Sequence, residues 1–195
     1  MLYKNREKFG KLSIWVGMIF SRLGLSPNQW TMLSVLPALV SFYFLITEDF
    51  LLATLFFGIS AFFDLIDGSV ARVTGKVTKK GAYLDTVVDR YIEFIVLSAL
   101  LFIALPSFIL PSYVWLFLYL FGAMMTTYSK AAAKEKELVE KELRGGILER
   151  TERLITLFIG ILLANFGKLY LVYAIAILAV LANITALQRI LKAVK

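Results

Sequence analysis

Apolar residues fill long windows of this chain, interrupted by short charged stretches, and a window of roughly 20 apolar positions is what a helix needs to cross a bilayer. Six such windows fit, at about residues 28–47, 50–73, 81–105, 112–133, 150–166 and 169–190. Before them, residues 2–23 set Lys4, Lys8 and Lys11 against Leu12, Trp15, Ile19 and Phe20 at helical spacing, which predicts a helix lying in the membrane interface. The stretch GLSPNQWT, with Pro27, ends that helix near the start of the first span. KAAAKEKELVEKELR reads as a solvated extension of the fourth span, with mixed charges at i,i+4 spacing. No repeat or low-complexity tract divides the chain. The pattern predicts one all-α membrane domain over residues 1–195: six transmembrane helices preceded by an amphipathic interfacial helix.

The basic residues orient this layout. With the N-terminus cytoplasmic, the loops at 72–80 and 134–149 and the C-terminus share one side, and of 21 Lys and Arg only Lys168 falls on the other. That bias predicts a multi-pass protein of the cytoplasmic membrane with both termini inside. The net charge of +7 is then accounted for by the same bias and by attraction to anionic membrane lipids, and calls for no nucleic acid partner.

Composition narrows the chemistry. Hydrophobic residues make up 59% of the chain, above the roughly 45–50% of soluble domains. There are no cysteines and no histidines, which removes disulfides, thiolate sites and imidazole, so acid–base work falls to Asp, Glu, Lys or Tyr. Few Asn and Gln beside many Lys and Glu suit a hyperthermophile.

Against this background four aspartates stand out. Asp64 and Asp67 are i and i+3 near the inner end of the second span, and Asp85 and Asp89 are i and i+4 near the inner start of the third. Each pair shares a helix face. On neighbouring antiparallel spans the four carboxylates converge at similar depth in a partly dry pocket. Like charges about 4 Å apart repel by several kcal/mol at an effective dielectric near 20, so either most are protonated or cations hold them together. Hard oxygen donors suit Mg²⁺ or Mn²⁺, and two such ions sharing ligands form a clamp for phosphoryl transfer. A structural cluster of neutralised acids is the plain alternative, but ionisable groups inside a membrane usually mark function. Gly68, Ala71, Gly75 and Gly81 permit close approach of a helix or a flat ligand. Arg72, one turn beyond Gly68, is placed either to fork onto a diphosphate or simply to snorkel to the interface.

The pattern Asp64-x2-Asp67-Gly68-x2-Ala71-Arg72-x8-Gly81-x3-Asp85-x3-Asp89 resembles the signature of the CDP-alcohol phosphatidyltransferases, with all eight signature residues at the expected gaps. The six-span layout and the amphipathic first helix also resemble that family. The resemblance implies displacement at the β-phosphorus of a CDP-linked lipid donor by an alcohol, with release of CMP. It implies that Asp64, Asp67, Asp85 and Asp89 hold two divalent cations and that Asp89 also takes the proton of the acceptor hydroxyl. It places Gly68, Ala71 and Gly81 at the cytidine and Asp67 and Arg72 at the diphosphate. SPNQWT is similar to the family's shorter Pro-Asn-x-x-Thr motif, which places Asn28 and Thr31 near the nucleotide. Members usually pair as homodimers.

The acceptor rests on Lys130 after TTYS and on Arg150 and Arg153 in GGILERTERLI. Three cations beside the carboxylates suit an acceptor that itself carries phosphate; flanking charge paired with Glu149 and Glu152 is the plainer alternative. A basic residue after Tyr-Ser with ERTERL on the next span resembles the branch that uses inositol 1-phosphate, with diacylglycerol or archaeol donors. Glycerol 3-phosphate needs the same anion site, whereas serine leaves the cations without a task. The hyperthermophile-like composition favours an ether-lipid donor. A cation-coupled transporter is the competing class, but its carboxylates belong at the bilayer centre between inverted repeats, and an intramembrane prenyltransferase does not suit the Asp spacing.

Overall fold

The structure, a computed structural model, describes residues 6–140, 143 and 145–194. Lys4, Lys141, Arg144 and Lys195, all assigned to the inner side by the charge pattern, lie outside the described residues, as do the side chains of Arg6 through Phe9 and of Leu12. The described residues form eight helices in order: α1 Arg6–Ser21, α2 Pro27–Leu33, α3 Val35–Ile46, α4 Phe50–Val73, α5 Lys79–Ala99, α6 Ser112–Glu135, α7 Arg150–Leu163 and α8 Lys168–Val194. Among the described residues the only extended pairing is an isolated bridge between Phe108 and Leu110.

The helix ends are set by local chemistry. Pro27 opens α2 behind the cap Ser26, whose backbone N–H donates to Gln29 Oε1 at 2.7 Å while its Oγ accepts the Gln29 N–H at 3.3 Å, a reciprocal capping box. Asp49 and Thr78 cap α4 and α5 by accepting the N–H of Leu52 and of Gly81, both at 3.0 Å. The first apolar window is not one straight rod: it divides at Ser34. The polar groups there are satisfied inside the protein, since Ser34 Oγ donates to Thr31 O (2.6 Å) and Ser60 Oγ of α4 donates to Ser34 O (2.8 Å).

Six helices pack pairwise into a ring in the order α3, α4, α7, α8, α6, α5 and back to α3. The α6–α8 contact is the most extensive and the α5–α6 contact the loosest. The interior is filled by Leu45, Phe57, Val96, Tyr119, Leu157 and Leu171, all nearly or fully buried. A smaller cluster of Val16, Trp30, Ile66 and Val70 fastens α1 and α2 to α4, with Trp30 edge-on to Phe20 and Phe63 at 5.5 and 5.4 Å between centroids. α1 leaves Ile14, Trp15, Met18 and Ile19 exposed.

Two expectations need correction. α4 and α5 follow one another in the chain, yet they are not among the closely packed pairs; each packs instead on α2 and on α3. The space this leaves inside the ring is where their carboxylates meet. The solvated extension expected over KAAAKEKELVEKELR is helical only as far as Glu135, because the chain turns at Glu137 with a positive φ of 56°, and its Lys141, Glu142 and Arg144 lie outside the described residues. Among the described residues three stretches, Pro27–Ile46, Phe50–Val73 and Lys168–Val194, are long and apolar enough to cross a membrane by length and composition. α5 falls short because Asp85, Asp89, Arg90 and Glu93 interrupt it, and α7 because it has only 14 residues.

Close approach at the tightest helix pair gives a first prediction. A Cβ on Gly122 of α6 would stand 2.7 Å from Asn183 Nδ2 and 2.9 Å from its backbone nitrogen on α8. Asn183 is itself fixed, because Nδ2 donates to Leu118 O at 2.8 Å. Gly122→Val is therefore expected to destabilise the detergent-solubilised protein by about 1–3 kcal/mol, read as a lower thermal unfolding midpoint.

Candidate active site between two cavities

Asp64 and Asp67 project from α4 and Asp85 and Asp89 from α5 into the ring. One oxygen from each of Asp64, Asp67 and Asp85 lies within 4.8 Å of the others. Oxygens bound to one Mg²⁺ at about 2.1 Å lie at most about 4.2 Å apart, so small side-chain rotations bring these three into a cation's reach. The hard, all-carboxylate donor set fits Mg²⁺ or Mn²⁺ on chemistry as well as spacing. Thr31 Oγ1 of α2 donates to Asp67 Oδ2 at 2.6 Å, which fixes that carboxylate and ties the short helix to α4.

Asp89 stands to one side of the three, held by Arg150. The Arg150 guanidinium, at the first position of α7, reaches Asp64 through both terminal nitrogens at 3.2 Å and pairs with Asp89 as well. One cation thus joins three helices and offsets part of a repulsion of about 4 kcal/mol per close carboxylate pair. The alternative pairing of Arg150 and Arg153 with Glu149 and Glu152 is not found. Glu152 Oε2 instead accepts the Glu149 N–H at 3.0 Å, closing the N-terminus of α7, and Arg153 turns inward to Glu93 at 3.3 Å.

A cavity lies on each side of the carboxylates. The smaller, about 330 Å³, is lined by Asn28, Thr31, Asp67, Gly68, Ala71, Arg72 and Gly81 together with Asp85. Every residue that the motifs assign to a CDP donor thus faces one chamber. A side chain at Gly81 would be a tight fit, since a Cβ would stand 3.1 Å from both Asn28 Oδ1 and Thr78 Oγ1. Arg72 is braced from outside the chamber: Nη2 and Nε donate to Ser13 Oγ of α1 at 2.7 and 3.2 Å. The larger cavity, about 780 Å³, is lined by Asp89, Lys130, Arg150 and Arg153, so the three cations expected at an acceptor phosphate do share one chamber.

That chamber holds two more cations, Arg90 and Arg189. Arg189 is fixed by donating to the carbonyls of Thr126 (2.7 Å) and Gly145 (3.2 Å). The charge pattern counted both only as residues of the inner side. Glu93, 3% exposed, was also missed; the signal was present, since it follows Asp89 by one turn in the same span and is an ionisable residue within a membrane segment.

The sequence profile of the CDP-alcohol phosphatidyltransferases matches residues 24–188. The chain belongs to that family. Similar CDP-alcohol phosphatidyltransferases include the archaetidylinositol phosphate synthase of Pyrococcus horikoshii, 36% identical over all of this chain and 97% of that protein. The phosphatidylinositol phosphate synthase of Corynebacterium glutamicum is 31% identical over 92% of this chain and 83% of its own. Crystal structures of the phosphatidylinositol phosphate synthase of Mycobacterium tuberculosis superpose on this member over 94% of its length. The form with CDP-DAG bound does so with a TM-score of 0.80 at 25% identity. The complex with manganese and citrate gives 0.82 at 26% identity.

The brace on Asp67 yields the second prediction. Thr31→Val keeps the side-chain shape but removes the hydroxyl donor. Groups that orient metal ligands are typically worth 10–100-fold in affinity, so Mn²⁺ titration should show binding about tenfold weaker, with helical content unchanged.

Proposed function

We propose that this enzyme transfers a lipid phosphate group from a CDP-linked lipid to the hydroxyl of inositol 1-phosphate, releasing CMP. The observation that carries the reading is that the aspartates separate a chamber lined by all the motif residues expected at a CDP donor from one lined by five cations, Arg90, Lys130, Arg150, Arg153 and Arg189. The inositol phosphate synthases among its relatives support the choice of acceptor. Asp64, Asp67, Asp85 and Asp89 would hold two divalent cations, Mg²⁺ or Mn²⁺, which when bound neutralise charge on the donor's diphosphate.

The chain's own residues then divide the work. Asn28, Thr31, Gly68, Ala71 and Gly81 accommodate the nucleotide, and Asp67 and Arg72 orient the diphosphate. Lys130, Arg150 and Arg153 hold the acceptor's phosphate in the second chamber. Asp89, on the wall of that chamber, accepts the hydroxyl proton as the acceptor oxygen bonds to phosphorus and the P–O bond to CMP breaks. Catalysis of this kind is mainly positioning and charge neutralisation. Arg150 touches both Asp64 and Asp89 and so couples the acceptor chamber to the carboxylates.

The same reading places the protein as one domain with six spans in the cytoplasmic membrane, α1 in the interface and the chambers open to the cytosol. The exposed Trp15, Met18 and Ile19 of α1 support its interfacial position. A homodimer belongs to the reading through the family resemblance.

Purified protein with labelled CDP-lipid, Mg²⁺ and a panel of alcohols tests the whole. CMP release is expected with inositol 1-phosphate and not with serine or free inositol. Release with glycerol 3-phosphate in its place reassigns the acceptor, and no release with any alcohol returns the transporter reading. Asp89→Asn should lower turnover at least about 100-fold while CDP still binds; turnover at the parent rate removes Asp89 from the role of base. Lys130→Met should raise the acceptor KM by about tenfold and leave the donor KM unchanged.

A further inference from the structure

Behind the cationic chamber two of its arginines share a buried acid that has no part in the proposed reaction. Glu93 sits on α5 one turn beyond Asp89 and is 3% exposed. Three groups from three helices converge on its carboxylate. Tyr119 Oη of α6, itself fully buried, donates to Oε1 at 2.8 Å. Arg153 Nε of α7 reaches the same oxygen at 3.3 Å, and Arg90 Nη1 of α5 lies 2.8 Å from Oε2. The far end of Arg153 is also held, since Nη1 donates to Thr126 Oγ1 at 3.2 Å.

The cluster is arranged with respect to the chamber. Arg90, Arg153 and Thr126 line it, whereas Glu93 and Tyr119 are not among its lining residues. The carboxylate therefore stands behind two guanidiniums that face the cavity. Two positive charges against one negative leave that wall net positive. A buried ion pair is generally no more stabilising than apolar side chains of the same volume, so stability alone gives a weak account of a carboxylate at this depth. Positioning gives a stronger one: an arginine held from behind meets an anion without first losing its rotamer freedom.

We propose that Glu93, steadied by Tyr119, is a positioning residue that fixes Arg90 and Arg153 as a preformed receptor for the phosphate of the acceptor. Glu93 touches no substrate; it acts through the two arginines. The inference rests on the acceptor reading given above.

The test uses the full chain in lipid nanodiscs with labelled CDP-lipid and Mg²⁺ at varied inositol 1-phosphate. Glu93→Gln should raise the acceptor KM by about tenfold or more, and Tyr119→Phe by about threefold or more, with the donor KM moving less than about twofold. Because Glu93 works through Arg153 as well as Arg90, adding Glu93→Gln to Arg153→Ala should raise the acceptor KM by less than the same change does in the parent enzyme. Equal rises in donor and acceptor KM, or fully additive effects in the double variant, overturn the proposal by reducing the cluster to general support. Each variant is first checked for thermal unfolding and CDP binding. If Glu93→Gln does not fold, Tyr119→Phe decides, since it removes one hydroxyl, and an unchanged acceptor KM overturns the proposal. A wild-type enzyme that uses no phosphorylated acceptor overturns the acceptor reading and this inference together. A wild type active with inositol 1-phosphate, with both variants unaltered, overturns this inference alone.

Discussion

Four carboxylates gathered where water is scarce are the constraint to which the rest of this structure answers. At an effective dielectric near 20 each close pair repels by about 4 kcal/mol, and loss of hydration adds to that. The chain meets the requirement with groups from every side. Arg150 of α7 bridges Asp64 and Asp89, and Thr31 of α2 donates to Asp67. The ring leaves room for the cluster because α4 and α5 are spaced apart by α2 and α3 and not packed on one another. A bundle in which those two helices touched would crowd the acids together and exclude both ligands and counter-ions.

The same need for paired charge recurs one turn deeper. Glu93 is matched by Arg90 and Arg153 and by the Tyr119 hydroxyl, so each acid that α5 carries within the ring has a basic or hydrogen-bonding partner or a place among the clustered carboxylates. The break at Ser34 belongs to this economy of polar groups. It frees α2 to follow α4 through Thr31 while α3 continues as a ring helix, and Ser60 satisfies the carbonyl at the break. Short α2 therefore carries Asn28 and Thr31 to the smaller chamber without a separate loop.

Much of this was legible in the residues and some was not, for reasons that differ by residue. The helix containing Asp64 and Asp67 spans Phe50–Val73, the same limits as its apolar window, because hydrophobic period and the Asp49 cap agree. The motif residues expected at the CDP donor, from Asn28 to Gly81, line one cavity, since their gaps along α2, α4 and the capped start of α5 determine which face each presents. Partner choice across the ring has no such local signature. Nothing in ERTER tells whether the arginines pair with the neighbouring glutamates or with acids on α4 and α5; the glutamates are drawn to the free N–H groups at the start of α7, which leaves the arginines to face inward. The separation of α4 from α5 was equally hidden, because a short connection argues for contact and only the packing of α2 and α3 between them prevents it. Glu93 was readable as an ionisable residue within a span but was overshadowed by the denser aspartate pattern.

The aspartates' position as a partition between two chambers carries a stereochemical consequence for the proposed transfer. On the proposed reading, a phosphorus presented at that wall would have its nucleotide in the smaller chamber and its incoming oxygen in the larger, with entering and leaving atoms on opposite sides. Such a layout calls for a single in-line displacement that inverts the configuration at phosphorus, without a covalent phospho-enzyme to restore it.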